Sequence, residues 1–238
     1  MPEGPEITAI VGVGPGLGAA LAERFAAGGH ALALLSRSAR SRGPVAKNIA
    51  SESRVQGYDC DAGDPASVAV AFARVRDTLG NPTVLIYNAG NYAPGGILEM
   101  DPDRFEAAWR ANCFGGFLAA REVLPAMLEA GAGTILFTGA TAALRGAKGF
   151  AGLAVGKFGL RALAQSMARE FAPGGIHVAH VVIDGQIGSP SARERQPDRA
   201  EETFLAPGDI AETYWQLYTQ PRSTWTQELD LRPDVENF

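Results

Sequence analysis

Short, continuously apolar runs alternate with helix-patterned segments along almost the whole chain. Residues 7–12, 31–36, 84–88, 134–138 and 177–183 are runs of the first kind, with 54–58 a weaker sixth. A strand with one wet face alternates polar and apolar side chains, so a run that is apolar throughout must be covered on both faces. That requires helices on both sides of a parallel sheet. The helical segments are at hand: 17–27, 65–79, 102–129 and 150–171 repeat apolar residues at spacings of three and four. Asp64-Pro65 and Asp101-Pro102 each read as an N-cap followed by proline at the first helical position. The alternation predicts an α/β chain with one doubly wound parallel sheet, a single domain over residues 1–238. Residues 224–231 supply a last strand. Residues 189–202, charged and poor in large apolar side chains, read as a mobile loop.

Composition removes several function classes. The net charge is −5, and no basic cluster is interleaved with aromatics, which argues against a nucleic-acid surface. Cys60 and Cys113 are the only cysteines. Two make no disulfide framework, and neither has Cys or His neighbours at ligand spacing, so no metal site is expected. The opening Met-Pro-Glu-Gly-Pro-Glu is acidic and lacks an apolar run, so no signal peptide is expected. No apolar stretch reaches the roughly 18 residues of a membrane span. The expected compartment is the cytoplasm.

The first strand runs into Gly12-Val-Gly14-Pro-Gly16-Leu17-Gly18, which opens a helix. Glycines there allow a tight turn and let a backbone approach a pyrophosphate. The free amides and dipole of the helix start favour the negative charge. A loop of this kind between the first strand and the first helix points to a dinucleotide.

Further along come Tyr87-Asn88-Ala89-Gly90 after the fourth strand, Asn112 in Arg-Ala-Asn-Cys-Phe-Gly, Lys157, and Ile187-Gly188-Ser189. In order, over nearly the whole chain, these resemble the motifs of the short-chain dehydrogenase/reductase family. The resemblance implies a Rossmann-type fold, with helices on both sheet faces, and a nicotinamide cofactor. The cofactor would be held by Gly12, Gly14, Gly16, Leu17, Gly18, Ser36, Arg37, Asp61, Asn88, Ala89, Gly90, Lys157, Ile187 and Ser189. NAD-preferring members end the second strand in Asp, whose carboxylate takes the ribose 2′-hydroxyl. Here that strand ends Leu34-Leu35-Ser36-Arg37, with Arg40 and Arg42 adding positive charge nearby. A guanidinium suits a 2′-phosphate, so NADP(H) is favoured over NAD(H). Asp61 matches the aspartate near the adenine and can equally cap a helix.

The catalytic part departs from the family pattern. Members use Ser, Tyr, Lys and Asn together: Tyr gives the proton, Lys lowers the Tyr pKa, Ser holds the substrate oxygen and Asn completes a relay. This chain keeps Asn112 and Lys157. Leu153 stands at the Tyr position, and Ala140, thirteen residues earlier, at the Ser position. Substitute donors to consider are Thr138, Thr141, Tyr92, Asp184 and Lys157 itself. His177 and His180, three apart on one strand, read as structural residues.

Two functions follow from the resemblance. One is an NADP(H)-dependent oxidoreductase with an atypical proton donor, or one acting on an activated C=C or C=N bond. The other is a non-catalytic NADP(H)-binding sensor or partner subunit. The partner of the enzyme would be a small-molecule substrate. Helix 150–171 is apolar on more than one face, which points to a homodimer or homotetramer.

Overall fold

The computed structural model describes residues 5–49 and 54–235. Residues 1–4, part of the segment read above for a targeting signal, lie outside that description. The central sheet has seven strands in the order β3-β2-β1-β4-β5-β6-β9. They are β1 (Ile7–Val11), β2 (Ala31–Ser36), β3 (Val55–Asp59), β4 (Val84–Tyr87), β5 (Gly133–Thr138), β6 (Ile176–Ile183) and β9 (Glu228–Leu231). Every pairing is parallel. A separate two-stranded piece pairs β7 (Gln186–Ile187) with β8 (Phe204–Leu205).

The apolar runs are explained by the two layers they serve. Alternate residues of one strand go to opposite faces. In β2, Ala31, Ala33 and Leu35 join Phe72, Val123 and Met167 on one face. Leu32 and Leu34 join Phe25, Val45 and Tyr214 on the other. The first face is covered by α3 (Pro65–Thr78), α5 (Gly115–Ala130) and α6 (Ala151–Phe171), the second by α1 (Leu17–Ala27), α2 (Ala39–Ile49) and α8 (Pro207–Tyr218). This is the doubly wound fold, and both proline-led N-caps are present. Asp64 accepts from the amides of Ala66 and Ser67, and Asp101 from those of Asp103 and Arg104.

Some elements differ from the sequence reading. Residues 102–129 are not one α-helix but α4 (Pro102–Trp109), a π-helical turn (Arg110–Phe114) and α5. The segment 189–202, read as a loop, contains α7 (Pro190–Arg195), whose first turn is capped by Ser189. The last strand begins later than expected. A 3₁₀ turn (Arg222–Thr224) precedes it, and Trp225 lies flat on His177 with ring centroids 4.9 Å apart.

The chain winds outward from β1 through β2 to β3, then returns to place β4 on the other side of β1. The connections from β1 and β4 therefore lead to helices on opposite faces of the sheet and leave a crevice above the carboxyl ends of the strands. Ligands of open α/β sheets bind at such a switch point.

Asp64 satisfies two amides of the first turn of α3, and removing such a cap costs about 1 kcal/mol. Asp64→Ala should lower the unfolding free energy by about that amount in urea titration, with the denaturant slope unchanged. No loss of stability would contradict the capping role.

Candidate active site

The glycine loop is shaped by contact with the loop after β4. Gly12 has φ +94°, and a Cβ there would lie 2.4 Å from the Ala89 amide nitrogen. Only glycine fits. The amides of Gly12 and Val13 are tied to the Leu35 carbonyl at the end of β2, and Asn88 Nδ2 donates to the Gly12 carbonyl at 3.0 Å. Gly14 faces open space. No side chain caps α1 at Gly16, so its first amides point outward without a side-chain partner.

Above this loop lies a cavity of about 780 Å³. It runs from Gly12, Gly14, Gly16, Leu17 and Gly18 past Asn88 and Gly90 to Asn112, Ala140, Leu153 and Lys157, and is closed on the far side by Ile187 and Ser189. A second hollow of about 290 Å³ shares Gly12, Gly14, Asn88 and Gly90 with it. It is lined further by Ser36, Arg37, Asp61 and Ala89. The structure thus brings all the expected site residues to two adjoining cavities. Asp61 is not the cap of α3, which is Asp64. Its carboxylate accepts from the Gly63 amide at 2.9 Å.

The basic side chains after β2 do not act alike. Arg42, expected only to add positive charge, is buried. It donates to the Ser36 carbonyl at 2.9 Å and to Ser36 Oγ at 3.3 Å, and forms an ion pair with Asp59. Its charge is therefore matched, and it pins the end of β2 to the end of β3. Arg37 is exposed at the hollow, and no ion pair engages it among the described residues.

The floor of the main cavity is built by close helix contact. A Cβ on Gly156 would lie 2.5 Å from Asn112 Cβ, so α6 can rest directly against the π-helical turn. In that turn Asn112 is fully buried. Its Nδ2 donates to the carbonyls of Ala108 and Asn91, each at 2.9 Å, and its Oδ1 accepts from the Asn91 amide. Tyr87 Oη donates to the Ala111 carbonyl at 2.6 Å and holds the same turn from below. A π turn frees carbonyls from the usual ladder, and these side chains satisfy them. Lys157 is 6% exposed. Its Nζ donates to the Thr138 carbonyl at 2.7 Å. Burial lowers its pKa to about 8.

The other donors weighed from sequence are placed as follows. Thr138 Oγ1 pairs with Tyr214 Oη at 2.8 Å, buried toward α8 and away from the cavity lining. Thr141 lines the cavity, with its hydroxyl donating to Asp184 Oδ1 at 2.6 Å. Asp184 is buried, with Arg145 and Arg232 at 3.8 and 3.7 Å. Tyr92 is 68% exposed at the rim, its ring 5.6 Å from that of Phe150. His177 and His180 each bond through one ring nitrogen, the other being buried without a partner among the described residues. His180 Nδ1 meets Glu228 at 2.9 Å, and His177 Nε2 meets the Thr226 carbonyl at 2.9 Å.

Sequence reasoning missed Arg145, Phe150 and Gln186, which also line the cavity. Nothing in their local pattern marks them. They arrive by the loop that follows the 3₁₀ turn after β5, by the N-cap of α6 and by β7, whose positions are set by the fold. Among the described residues, no group of three or more His, Cys, Asp or Glu is placed to hold a metal ion. No described helix is long and apolar enough to cross a membrane.

Residues 6–200 match the family model for short chain dehydrogenases. The 3-oxoacyl-[acyl-carrier-protein] reductase MabA of Mycobacterium bovis is 31% identical over 184 residues, covering 77% of this chain and 70% of that protein. Sorbitol-6-phosphate 2-dehydrogenase of Escherichia coli is 28% identical over 213 residues, 88% of this chain and 82% of the relative. Among solved structures, a short-chain dehydrogenase from Rhodopseudomonas palustris is 38% identical with a TM-score of 0.83, over 96% of this chain and 98% of that one. A metagenomic short-chain oxidoreductase in complex with NADP is 25% identical with a TM-score of 0.84, over 97% and 98%. The chain belongs to the short chain dehydrogenase family.

Proposed function

We propose that the protein is an NADP(H)-dependent oxidoreductase of short-chain dehydrogenase type with a depleted catalytic set. Asn112 and Lys157 are kept, while Ala140 and Leu153 stand where the family places Ser and Tyr. The observation that carries this reading is the unbroken cavity from the glycine loop to Lys157. Its volume of about 780 Å³ lies within the ordinary range of ligand pockets. The residues fit the cofactor. Gly14 leaves backbone open to a pyrophosphate, the uncapped start of α1 favours its charge, and Arg37 is free for a 2′-phosphate. Lys157 and Asn112 supply polar groups at the opposite end. When bound, the reduced nicotinamide supplies a hydride. The protein's part is to orient the partners, exclude water and move a proton. The relatives named as reductase and dehydrogenase support this reading over a purely binding role.

Arg37 and Arg42 separate by experiment. Losing a charge-assisted contact costs about 1.5–3 kcal/mol, roughly a 10- to 100-fold change in affinity. Arg37→Ala should weaken NADPH binding by that factor and leave NADH nearly unchanged, read by fluorescence titration. Arg42→Ala should instead lower the melting temperature. Equal NADPH affinity in wild type and Arg37→Ala would refute the cofactor assignment.

The missing acid should limit ordinary carbonyl reduction. A positioned acid is worth about 10²–10⁴-fold. The double change Ala140→Ser with Leu153→Tyr should therefore raise NADPH oxidation with simple ketones and aldehydes measurably above a low wild-type rate. Brisk wild-type turnover of these substrates, or no gain in the double variant, would count against the depleted-set reading.

The protein is also proposed to be a homo-oligomer. Phe117 and Leu128 on α5 and Val155 and Phe158 on α6 are 39%, 40%, 48% and 42% exposed, an apolar surface of the kind that marks interfaces. Light scattering should give a dimer or tetramer, and Val155→Asp with Phe158→Asp a monomer. A monomeric wild type at micromolar concentration would overturn this.

A further inference from the structure

This inference rests on the oxidoreductase reading and names its proton donor. We propose that Lys157 Nζ is itself the general acid of the cavity, giving its proton directly to the substrate atom that gains negative charge.

The geometry leaves no better donor among the groups at the cavity. Thr141 has its proton on Asp184, and Asp184 and Thr138 do not line the cavity. The hydroxyls of Ser189 and Ser191 share one hydrogen bond at 3.3 Å, and an alcohol is a far weaker acid than an ammonium. The guanidinium of Arg145 offers donors but is not a group that gives up a proton. Tyr92 sits at the open rim. Lys157 is different. Its ammonium lies at the buried floor, and the Thr138 carbonyl takes one of its three protons. No other hydrogen-bond acceptor engages it among the described residues. Leu153, one helical turn earlier on α6, lines the same cavity with no polar atom, and Ala140 is equally mute. A substrate acceptor that descends past them meets Nζ first.

The charged and titratable neighbours leave this role intact. From β6, His180 stands beside Gly139, kept neutral at pH 7 by burial and bonded to Glu228 of β9. Glu228 is in turn held by Arg161 of α6 at 2.6 and 2.7 Å. Asn112 is neutral. Burial alone lowers the Lys157 pKa to about 8, so it is mostly protonated at neutral pH yet readily gives the proton up.

The step balances as follows. A nicotinamide held in the cavity would supply a hydride to a C=O or C=N carbon, and the π pair would move to the heteroatom. That heteroatom bonds to a proton from Nζ. The N–H electron pair stays on nitrogen, leaving a neutral amine, which water entering the cavity reprotonates. An acceptor must reach the depth of Nζ instead of meeting a phenol on the way.

The test begins without cofactor. Lys157 is one of only three lysines, with Lys47 and Lys148, both exposed. Benzaldehyde with borohydride, from pH 6 to 9.5, should fix an adduct on Lys157 by peptide mass mapping. The adduct should be half-maximal near pH 8 and suppressed by NADPH. Adducts confined to Lys47, Lys148 or the amino terminus would overturn the proposal. A second arm uses Lys157→Arg with the best substrate of a carbonyl, enone and imine panel. Arginine keeps the cation and cannot release the proton. NADPH should still bind, read by fluorescence titration, while reduction at saturating NADPH falls at least ~10²-fold. Wild-type reduction should decline above about pH 8 as the ammonium is lost. Undiminished reduction by Lys157→Arg would overturn the proposal and leave the functional reading standing. A wild type that does not bind NADPH would overturn both.

Discussion

The close crossing of two loops, with Gly12 pressed against the peptide joining Asn88 and Ala89, governs what is built above the sheet. A side chain at Gly12 would force the β1 and β4 loops apart. The glycine turn would then lose its support from Asn88, and α1 would no longer start at the cavity wall. Because β1 and β4 are neighbours at the point where winding reverses, this crossing fixes the cavity over the carboxyl ends of the strands. The same contact leaves Gly14 facing open space and places Asn88 and Gly90 in both hollows.

A second close contact determines the chemistry. Gly156 lets α6 touch the π-helical turn, so Lys157 enters the floor beside Asn112. Leu153 precedes it by one turn on the same cavity wall. Leu153 gives this wall no hydrogen-bonding side chain. The lysine is left with one carbonyl partner and a depressed pKa. A tyrosine there would share the proton with it. In the proposed reading, a leucine at the family's Tyr position moves the readily released proton of the cavity floor from a phenol to the amine, while the groups suited to holding a dinucleotide still line the two hollows.

Much of this is legible in the sequence because it depends on local order. The apolar runs, the proline-led caps at Asp64 and Asp101, the glycine spacing and the Leu153–Lys157 spacing each lie within a few residues. What escapes the sequence is tertiary. The π turn follows from Tyr87 and Asn112 bonding to freed carbonyls, and no residue pattern announces it. Helix α2 contains Gly43-Pro44 and little apolar periodicity, and it is held by Val45 and Ile49 on the sheet. Arg42 looks like one more exposed cation until β3 brings Asp59 across to it. Helix α8 is absent from the helices read in the sequence, and its Tyr214 bond to Thr138 crosses 76 residues. That bond withdraws a hydroxyl which the sequence leaves available.

The central claim is that the cavity is a dinucleotide site whose catalytic end presents a lysine and no phenol. A crystal structure with NADPH tests it most directly. The account predicts electron density for the pyrophosphate against the Gly14–Gly18 backbone, the 2′-phosphate at Arg37, and the nicotinamide in the part of the cavity lined by Lys157 and Leu153, with Nζ the nearest protonated side-chain group to its reactive carbon. A dinucleotide bound elsewhere, or a nicotinamide facing another acid such as Tyr92, would contradict it.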